Sequence, residues 1–417
     1  MTSRTYRHFL YAAVATATAL LAQFFGILPV FRSRLQTYLS IGDDQFGLLF
    51  SIGPIVGVAG GLLGGVLVDR WGVRRVIRVS LAGVSFSLLL VGCAGVHFPI
   101  FIAAIALAGI FRSPLGIAIN KYLGQLFPAQ QRRVISLNLA STSMGGILYP
   151  LVAEWLLHLS RTSSRVSFAQ VLHIPFFVVS IFLAAASFIY RPRHPAAGRI
   201  AENTRRNAAK ISSSQRGLIL PFHAVALGAL IAFHGVFDST LHIWMARFLE
   251  SSSFERTLIS PGVVLSCYAV SYVLSRILLA LLPDKTGRRL LLVLPGLAGG
   301  SVMILAILSR NYLLTATGYV LGALLWSAEF PSFVSAALRR ERRRFGSLMA
   351  VTGIIGGVAA FLMLNAIGLA VQRLGDSAMW LVMLVPASGF VLVGLGGLLW
   401  TLKYDDDAAP SETNAVP

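Results

Sequence analysis

Long apolar segments alternate with short polar ones along almost the whole chain. An apolar run of about 20 residues is long enough to cross the hydrocarbon core of a bilayer as a helix. The pattern predicts twelve such spans, at about residues 8–31, 46–68, 76–96, 99–123, 135–158, 168–190, 218–246, 258–282, 290–308, 311–335, 346–371 and 378–402. We therefore predict an all-α membrane protein with twelve transmembrane helices and both ends on one side.

Composition agrees with a chain that lies in lipid. Hydrophobic residues make up 56% of it and charged residues 12%, which is typical of an integral membrane protein. The net charge of +19 would suggest nucleic acid in a soluble protein, but the aromatic-basic interleaving of such surfaces is missing. We expect the bilayer and a small molecule as partners, and no nucleic acid. Cys93 and Cys267 each lie inside a predicted span and indicate neither a disulfide nor a thiol metal site.

Basic residues are unevenly divided between the two faces of the predicted bundle. One face, which includes both termini, collects 24 of the 35 lysines and arginines, while the loops of the opposite face hold eight. Because cytoplasmic loops carry the excess of positive charge, we expect both termini to be cytoplasmic in a multi-pass protein of the bacterial inner membrane. We also expect the first segment to be kept rather than cleaved as a signal peptide, since its apolar run is too long.

One polar loop between two spans has a distinctive sequence. It places an acid and a basic run at the end of a span, and Gly65 lies one helical turn before Asp69 on the same face. The loop continues with Arg70, Gly72, Arg74 and Arg75. This pattern resembles the signature loop between helices two and three of the major facilitator superfamily of secondary transporters. The resemblance implies that Asp69 and its loop act in conformational change.

A second copy of the loop follows 215 residues later. It consists of Asp284, Lys285, Gly287, Arg288 and Arg289, with Ala280 in place of the glycine. Further pairs obey the same offset: Gly47 with Gly262, Ser51 with Ser266, Arg32 with Arg247 and Gln23 with Asp238. The family that the chain resembles is built from two pseudo-symmetric six-helix bundles. We predict bundles at 1–190 and 218–402, a cytoplasmic linker at 191–217 and a disordered tail at 403–417.

Polar groups inside the spans are the candidates for function, because a charge at mid-membrane costs about 2.5–3.5 kcal/mol on insertion scales. In the family that the chain resembles, helices 1, 4, 7 and 10 line the central cavity. The candidates for substrate or proton binding are Gln23, Arg112, Asn120, His234, Asp238, His242, Arg276 and Glu329. Arg112 and Gly116 also resemble the helix-four motif of proton-coupled members, which the family associates with proton movement or with an anionic substrate.

Several roles remain open for these groups. Arg112 is either functional or structurally paired across helices. His234, Asp238 and His242 recur every four residues and form one stripe, which suits a proton site, a substrate contact or, on weaker grounds, a metal ion. Helical depth predicts two ion pairs at different heights, Arg112 with Asp238 and Arg276 with Glu329.

We interpret the chain as a secondary transporter that moves a small organic anion, coupled to protons, by alternating access. No ATP-binding or catalytic motif is found in the sequence, so we expect neither an enzyme nor a cofactor, and we expect a monomer without a bound metal. The alternatives are a drug or metabolite exporter that exchanges for protons, a transporter of a metal ion or its chelate, and a scaffold or receptor that does not transport.

Overall fold

The computed structural model describes most of the predicted membrane domain. It covers residues 3–126, 131–163, 165–190, 220–251, 254, 259–281, 288–341 and 345–404. The predicted linker and the tail after Tyr404 lie outside the described residues, and so do Asp284, Lys285 and Gly287 of the second loop. The side chains of Gly65, Asp69 and Arg288 are also outside the description.

Helices account for nearly all of the described first half. They are α1 (Ser3–Leu21), α2 (Arg32–Leu39), α3 (Asp43–Trp71), α4 (Val73–Cys93), α5 (Phe98–Leu126), α6 (Gln131–Thr162) and α7 (Phe168–Ile189). A 3₁₀ turn at Phe24–Ile27 separates α1 from α2. The first predicted span is therefore broken, and Gln23 lies at the break.

The described second half repeats this arrangement. Its helices are α8 (Phe222–Leu249), α9 (Pro261–Leu281), α10 (Arg288–Leu308), α11 (Tyr312–Trp326), α12 (Glu329–Arg340), α13 (Phe345–Leu374) and α14 (Met379–Tyr404). The tenth predicted span is divided between α11 and α12 at Ser327 and Ala328. Each half thus has one interrupted span, and the sequence pattern did not reveal either interruption.

The twelve predicted spans can be traced in these helices, and the predicted fold class is confirmed. Ten segments of the described chain are long and apolar enough to cross a membrane. The remaining two spans are the broken first one and α6, which has 32 residues and exceeds the length that a bilayer requires. No strand occurs among the residues that the structure describes.

Gly72 ends α3 and begins α4. Its φ of +81° lies in the region that glycine adopts without steric cost, and the two helices are separated by this single residue. The chain therefore leaves one helix and enters the next at Gly72. We call the face of the bundle with this loop the motif face, and the face where α3 begins at Asp43 the opposite face.

Repeat-related glycines lie at the two main contacts between the halves, which are α3 with α13 and α9 with α6. A methyl group added at Gly47 would lie 2.7 Å from the backbone oxygen of Leu364 in α13. One added at Gly262 would lie 2.8 Å from Oε1 of Glu154 in α6. Small residues let helices approach closely. Gly47 and Gly262, which are 215 residues apart, therefore occupy equivalent positions at the two contacts between the halves.

The repeat-related serines occupy the same two contacts. Ser51 accepts a hydrogen bond from Asn365 Nδ2 at 2.6 Å, which joins α3 to α13. Ser266 donates to the backbone oxygen of Ile147 at 3.0 Å, which joins α9 to α6. Glu154, whose Oε1 accepts from Gly262 N at 3.1 Å, also ties the halves together. We conclude that the two halves meet through a pair of symmetric seams.

The halves differ where α3 and α9 face their own bundles. By the offset, Gly53, Gly57 and Gly61 of α3 correspond to Tyr268, Tyr272 and Arg276 of α9. The glycine-rich α3 packs tightly on α5, so a methyl group added at Gly60 would lie 2.9 Å from the Ile110 Cα. On α9 the same face carries large polar side chains. Tyrosine and arginine thus stand in the second half where the first half has glycine.

Candidate functional site

Asp238, on α8, is the centre of a polar cluster in the second half. Its carboxylate accepts hydrogen bonds from the hydroxyls of Tyr268 and Tyr272, the latter at 2.9 Å, and from the Trp326 indole Nε1 at 3.0 Å. Three neutral donors on α9 and α11 thus satisfy the carboxylate. We call Asp238 and these three donors the Asp238 cluster.

Aromatic packing fixes the donors of the Asp238 cluster in place. The rings of Tyr268 and Tyr319 are stacked with centroids 4.4 Å apart, and Trp326 is stacked on Phe390 at 4.3 Å. His242 borders the same stack, with its Nδ1 3.4 Å from the Tyr319 hydroxyl oxygen. Offset stacking of this kind adds to the energy of area burial, so the donors are held rigidly around the carboxylate.

Arg276 lies at the edge of the Asp238 cluster and reaches the other half. Its guanidinium lies over the Tyr272 ring at 4.6 Å from the centroid. Its NH1 donates to Ser143 Oγ of α6 at 2.8 Å. Arg276 therefore connects the cluster to the seam between α9 and α6.

Glu329 and His234 form a separate, fully buried pair. Oε2 of Glu329 lies 2.8 Å from Nδ1 of His234, and the two side chains are 0% and 1% exposed. The His234 ring packs edge-on against Phe390, at 5.2 Å, and lies 5.9 Å from Phe330. An ionisable pair therefore joins α8 to the first residue of α12 in an aromatic environment.

Arg112, on α5, is the charged member of the candidate residues in the first half. It donates a hydrogen bond to Gln23 Oε1, at the break in the first span, and it lies near Tyr149 of α6. The Tyr149 hydroxyl donates to the backbone oxygen of Leu20 at 2.6 Å. In the described part of the chain, no carboxylate is paired with Arg112. Asn120, two turns further along α5, accepts from Asn138 Nδ2 at 3.2 Å.

The internal repeat relates the Arg112 site to the Asp238 cluster. Gln23 and Asp238 are equivalent positions, and each accepts a hydrogen bond from the fourth span of its own half. In the first half the donor is Arg112, and in the second it is Trp326, whose equivalent by the offset is Phe111. The charge therefore lies on the donor in one half and on the acceptor in the other.

Both predicted ion pairs are wrong for this conformation. Arg112 binds Gln23 instead of Asp238, and Arg276 binds Ser143 instead of Glu329. Depth along a helix gives the height of a side chain but not the direction in which it points, and a neutral side chain can also satisfy a buried charge. The Tyr268, Tyr272 and Trp326 donors were missed. The offset that relates Tyr268 and Tyr272 to glycines was the available signal.

The predicted stripe on α8 does not converge on one ligand. His234 binds Glu329, Asp238 binds the tyrosines and Trp326, and His242 faces Tyr319. Among the described residues, no group of three His, Cys, Asp or Glu side chains is placed to hold a metal ion. The metal-ion alternative thus has no support from the geometry of α8.

The signature loop is anchored by aromatic contacts at the motif face. Arg74 lies between the rings of Tyr11 and Tyr122, at 5.8 and 5.9 Å from their centroids. Arg70 and Arg75 are exposed, as is Arg289 of the second copy. Arg74 thus ties the start of α4 to α1 and α5.

An ionic network crosses the two halves at the opposite face. Asp43, at the start of α3, binds Arg32 of its own half, and its Oδ2 lies 3.9 Å from Arg247 NH2 of α8. Arg247 also binds Asp376, before α14. Arg32 is 4% exposed and lies over the Trp244 ring at 5.8 Å. The repeat-related arginines therefore meet at one carboxylate, and the halves are joined at this face.

Comparison with known proteins agrees with this architecture. A family model described as the Major Facilitator Superfamily matches residues 12–364. The chain belongs to the Major Facilitator Superfamily. The members of this superfamily are multi-pass membrane transporters rather than enzymes, and the fold predicted from the signature loop is confirmed.

Solved structures of this superfamily are similar over nearly the whole chain. A D-xylose-proton symporter matches with a TM-score of 0.72 at 15% identity, over 93% of this chain and 97% of that one. The xylose transporter XylE from E. coli, in an inward-open conformation, matches with a TM-score of 0.69 at 15% identity, over 97% and 98%. At this identity the likeness shows a shared fold.

The sequence relatives of the chain are named as different kinds of transporter. A facilitated trehalose transporter, Tret1, from Anopheles gambiae is 26% identical over 45% of this chain and 23% of its own length. The MFS-type transporter hasB from Aspergillus fumigatus is 23% identical over 46% of this chain and 41% of its own length. The alignments thus cover less than half of these relatives.

Proposed function

We propose that this Major Facilitator Superfamily protein is a proton-linked secondary transporter of a small organic anion. It works by alternating access in the bacterial inner membrane, with the motif face and both termini in the cytoplasm. The excess of basic residues at the motif face supports this orientation.

The observation that carries the proposal is the environment of Arg112. A cation inside a membrane-spanning helix is costly unless an anion or a polar cavity compensates it. Arg112 is bound to the neutral side chain of Gln23, and the described residues place no carboxylate against it. A planar guanidinium is suited to hold a carboxylate through two hydrogen bonds. We therefore assign Arg112 as the contact for the substrate anion.

Proton coupling is proposed from the groups of the second half. The sequence contains no ATP-binding motif, so an ion gradient is the source of energy that fits the chain. Glu329, His234 and Asp238 lie within the spans, and carboxylates and imidazoles inside a membrane domain are the side chains from which proton relays are built. Sites at the interface of two repeats fit transport by rocking of the halves.

A neutral sugar or a drug-like metabolite is the competing substrate class. Trehalose transporters and the aspyridones efflux protein apdF are among the relatives, and the side chains around Asp238 are aromatic, a type on which sugar rings and aromatic compounds stack, although Tyr319, Trp326 and Phe390 are buried in this conformation. These classes need no positive charge at residue 112. The Arg112 environment therefore favours the anion.

Counterflow in proteoliposomes tests the substrate class. Purified protein is reconstituted with unlabelled compound inside and trace labelled compound outside, for lactate, succinate, benzoate, D-xylose, trehalose and tetraphenylphosphonium. We expect transient accumulation of at least one carboxylate, and its loss in Arg112→Gln. Counterflow confined to sugars or to the lipophilic cation, and unchanged in Arg112→Gln, would contradict the proposal.

A further inference from the structure

We propose that the Glu329–His234 pair carries the coupled proton, and that the Asp238 cluster does not. The inference rests on the proposed proton-linked transport and names its proton site. The pair is formed by two ionisable side chains, 0% and 1% exposed, with Glu329 Oε2 at 2.8 Å from His234 Nδ1. Its surroundings are the rings of Phe330 and Phe390.

The chemistry of the pair allows one proton to be added and removed. Without the extra proton, neutral His234 donates its Nδ1 hydrogen to the Glu329 carboxylate, and the pair has one negative charge. One added proton, bound to Glu329 or to the other imidazole nitrogen, makes the pair neutral. Burial penalises net charge, so uptake of a proton relieves the charge of the pair in this apolar setting.

Asp238 differs because three neutral donors already stabilise its charged form. Tyr268, Tyr272 and Trp326 all direct hydrogens at its carboxylate. A proton added to Asp238 would remove the negative charge that strengthens all three hydrogen bonds, since bonds to an ionised acceptor are about twice as strong as bonds to a neutral one. The structure therefore assigns Asp238 a positioning role for α9 and α11.

Neighbouring elements bring no compensating cation to the pair within the described chain. On α8 the next acidic group is Asp238, one turn along. Arg289 lies in the first turn of α10, and Arg373 and Lys403 lie in the last turns of α13 and α14. On α12 the described basic side chain is that of Arg340, the last residue of the helix. On α11 the Tyr319 ring is stacked on Tyr268. The charge of the pair is thus set by its own proton.

The position of the pair in the fold connects this proton to conformational change. Glu329 is the first residue of α12, directly after the break that divides the tenth span, and His234 lies in the middle of α8. The hydrogen bond between them spans two elements of the same half. A change in its charge therefore acts at an interruption, where a span bends more readily than in a continuous helix.

Infrared difference spectroscopy tests protonation directly and requires no substrate. Spectra of the purified full-length protein are compared between high and low pH for the wild type, Glu329→Gln and Glu341→Gln. Glu341 is the matched control, because it also pairs with a histidine, His223, at 2.7 Å, but at the partly exposed motif face. We expect a carboxylic-acid carbonyl band that titrates in the wild type and in Glu341→Gln and is lost in Glu329→Gln. A band that persists in Glu329→Gln would overturn the inference.

Transport assays distinguish a loss of proton coupling from a loss of substrate binding. With the compounds of the counterflow panel, Glu329→Gln should keep counterflow and lose accumulation driven by a pH gradient, whereas Glu341→Gln should keep both. Glutamine preserves the shape of the side chain and its contact with His234, so folding is retained. Gradient-driven accumulation that is equal in the wild type and Glu329→Gln would overturn this inference alone. A wild type that never responds to the gradient would overturn the proposed function instead.

Discussion

Neutral partners surround most of the charged side chains inside the spans. Arg112 binds an amide, Arg276 binds a hydroxyl and Asp238 binds two phenols and an indole. An ion pair between helices would neutralise these charges permanently. A charge with neutral partners keeps its attraction for a ligand of opposite sign, which is why we propose Arg112 as the contact for the substrate anion.

Arg112→Gln should weaken binding of the substrate anion by roughly 10- to 100-fold, because hydrogen bonds to charged groups contribute about 1.5–3 kcal/mol each. Binding is measured by isothermal calorimetry with the carboxylate identified by counterflow. Arg34→Gln is the matched control, because Arg34 is exposed on α2. Equal affinity for the anion in all three proteins would remove Arg112 from the site.

Trp326→Phe should destabilise the protein by about 1–3 kcal/mol, because one of three donors to Asp238 is lost while the ring stacked on Phe390 is retained. The change is measured as a lower thermal midpoint in detergent. Trp155→Phe is the control, since Trp155 is 63% exposed and faces away from the core. If both variants have the same thermal midpoint as the wild type, the Asp238 cluster does not stabilise the packing of α8 on α11.

Sequence reasoning at this scale found the polar residues but not their partners. Gln23, Arg112, Asp238 and Glu329 stand out because lipid makes polar groups rare in spans. Tyrosines and serines do not stand out, since they are common in membrane helices for other reasons. The direction of a side chain also depends on how helices are rotated, which the apolar pattern defines poorly when nearly every face is apolar.

At the scale of elements, the two halves use equivalent positions for different purposes. One face of α3 has no side chains at Gly53, Gly57 and Gly61, so it packs closely on α5. The equivalent face of α9 is polar, because it carries Tyr268, Tyr272 and Arg276. The repeat was evident from the sequence through the signature loops and the pairs Gly47/Gly262 and Ser51/Ser266. The interruptions of the first and tenth spans were missed because the apolar pattern continues through them.

Gly60→Ala should destabilise the bundle by about 1–3 kcal/mol, since the added methyl group meets the backbone of α5, which cannot move aside as a side chain can. The Ile110 Cα lies 2.9 Å from its position. Gly353→Ala, where a methyl group meets nothing within 4 Å, should be neutral or slightly stabilising. Thermal midpoints in detergent compare the two. A smaller effect at Gly60 than at Gly353 would contradict the close packing of α3 on α5.

For the whole molecule, the network at the opposite face couples the halves in this conformation. Asp43 receives an arginine from each half, and Arg247 continues to Asp376. Alternating access requires such contacts to break when the halves rock. The network therefore contributes to the preference for a conformation that is closed at this face.

Asp43→Asn should shift the population toward separation of the halves at the opposite face. Loss of the carboxylate removes between about 1 and 5 kcal/mol, the range from exposed to buried ion pairs. Spin labels at Ser33 and Arg373, in a background without Cys93 and Cys267, report the distance by electron–electron resonance. We expect longer distances in Asp43→Asn and little change in Asp44→Asn. Identical distance distributions would exclude a closing role for the network.

The proposed function requires that this member of the superfamily converts a proton gradient into a solute gradient. The most direct measurement is uptake of a labelled carboxylate into proteoliposomes under an imposed pH gradient, with and without a protonophore. We expect accumulation above the external concentration, which the protonophore abolishes and which Arg112→Gln lacks. Uptake that only equilibrates, and that is indifferent to the pH gradient, would contradict it.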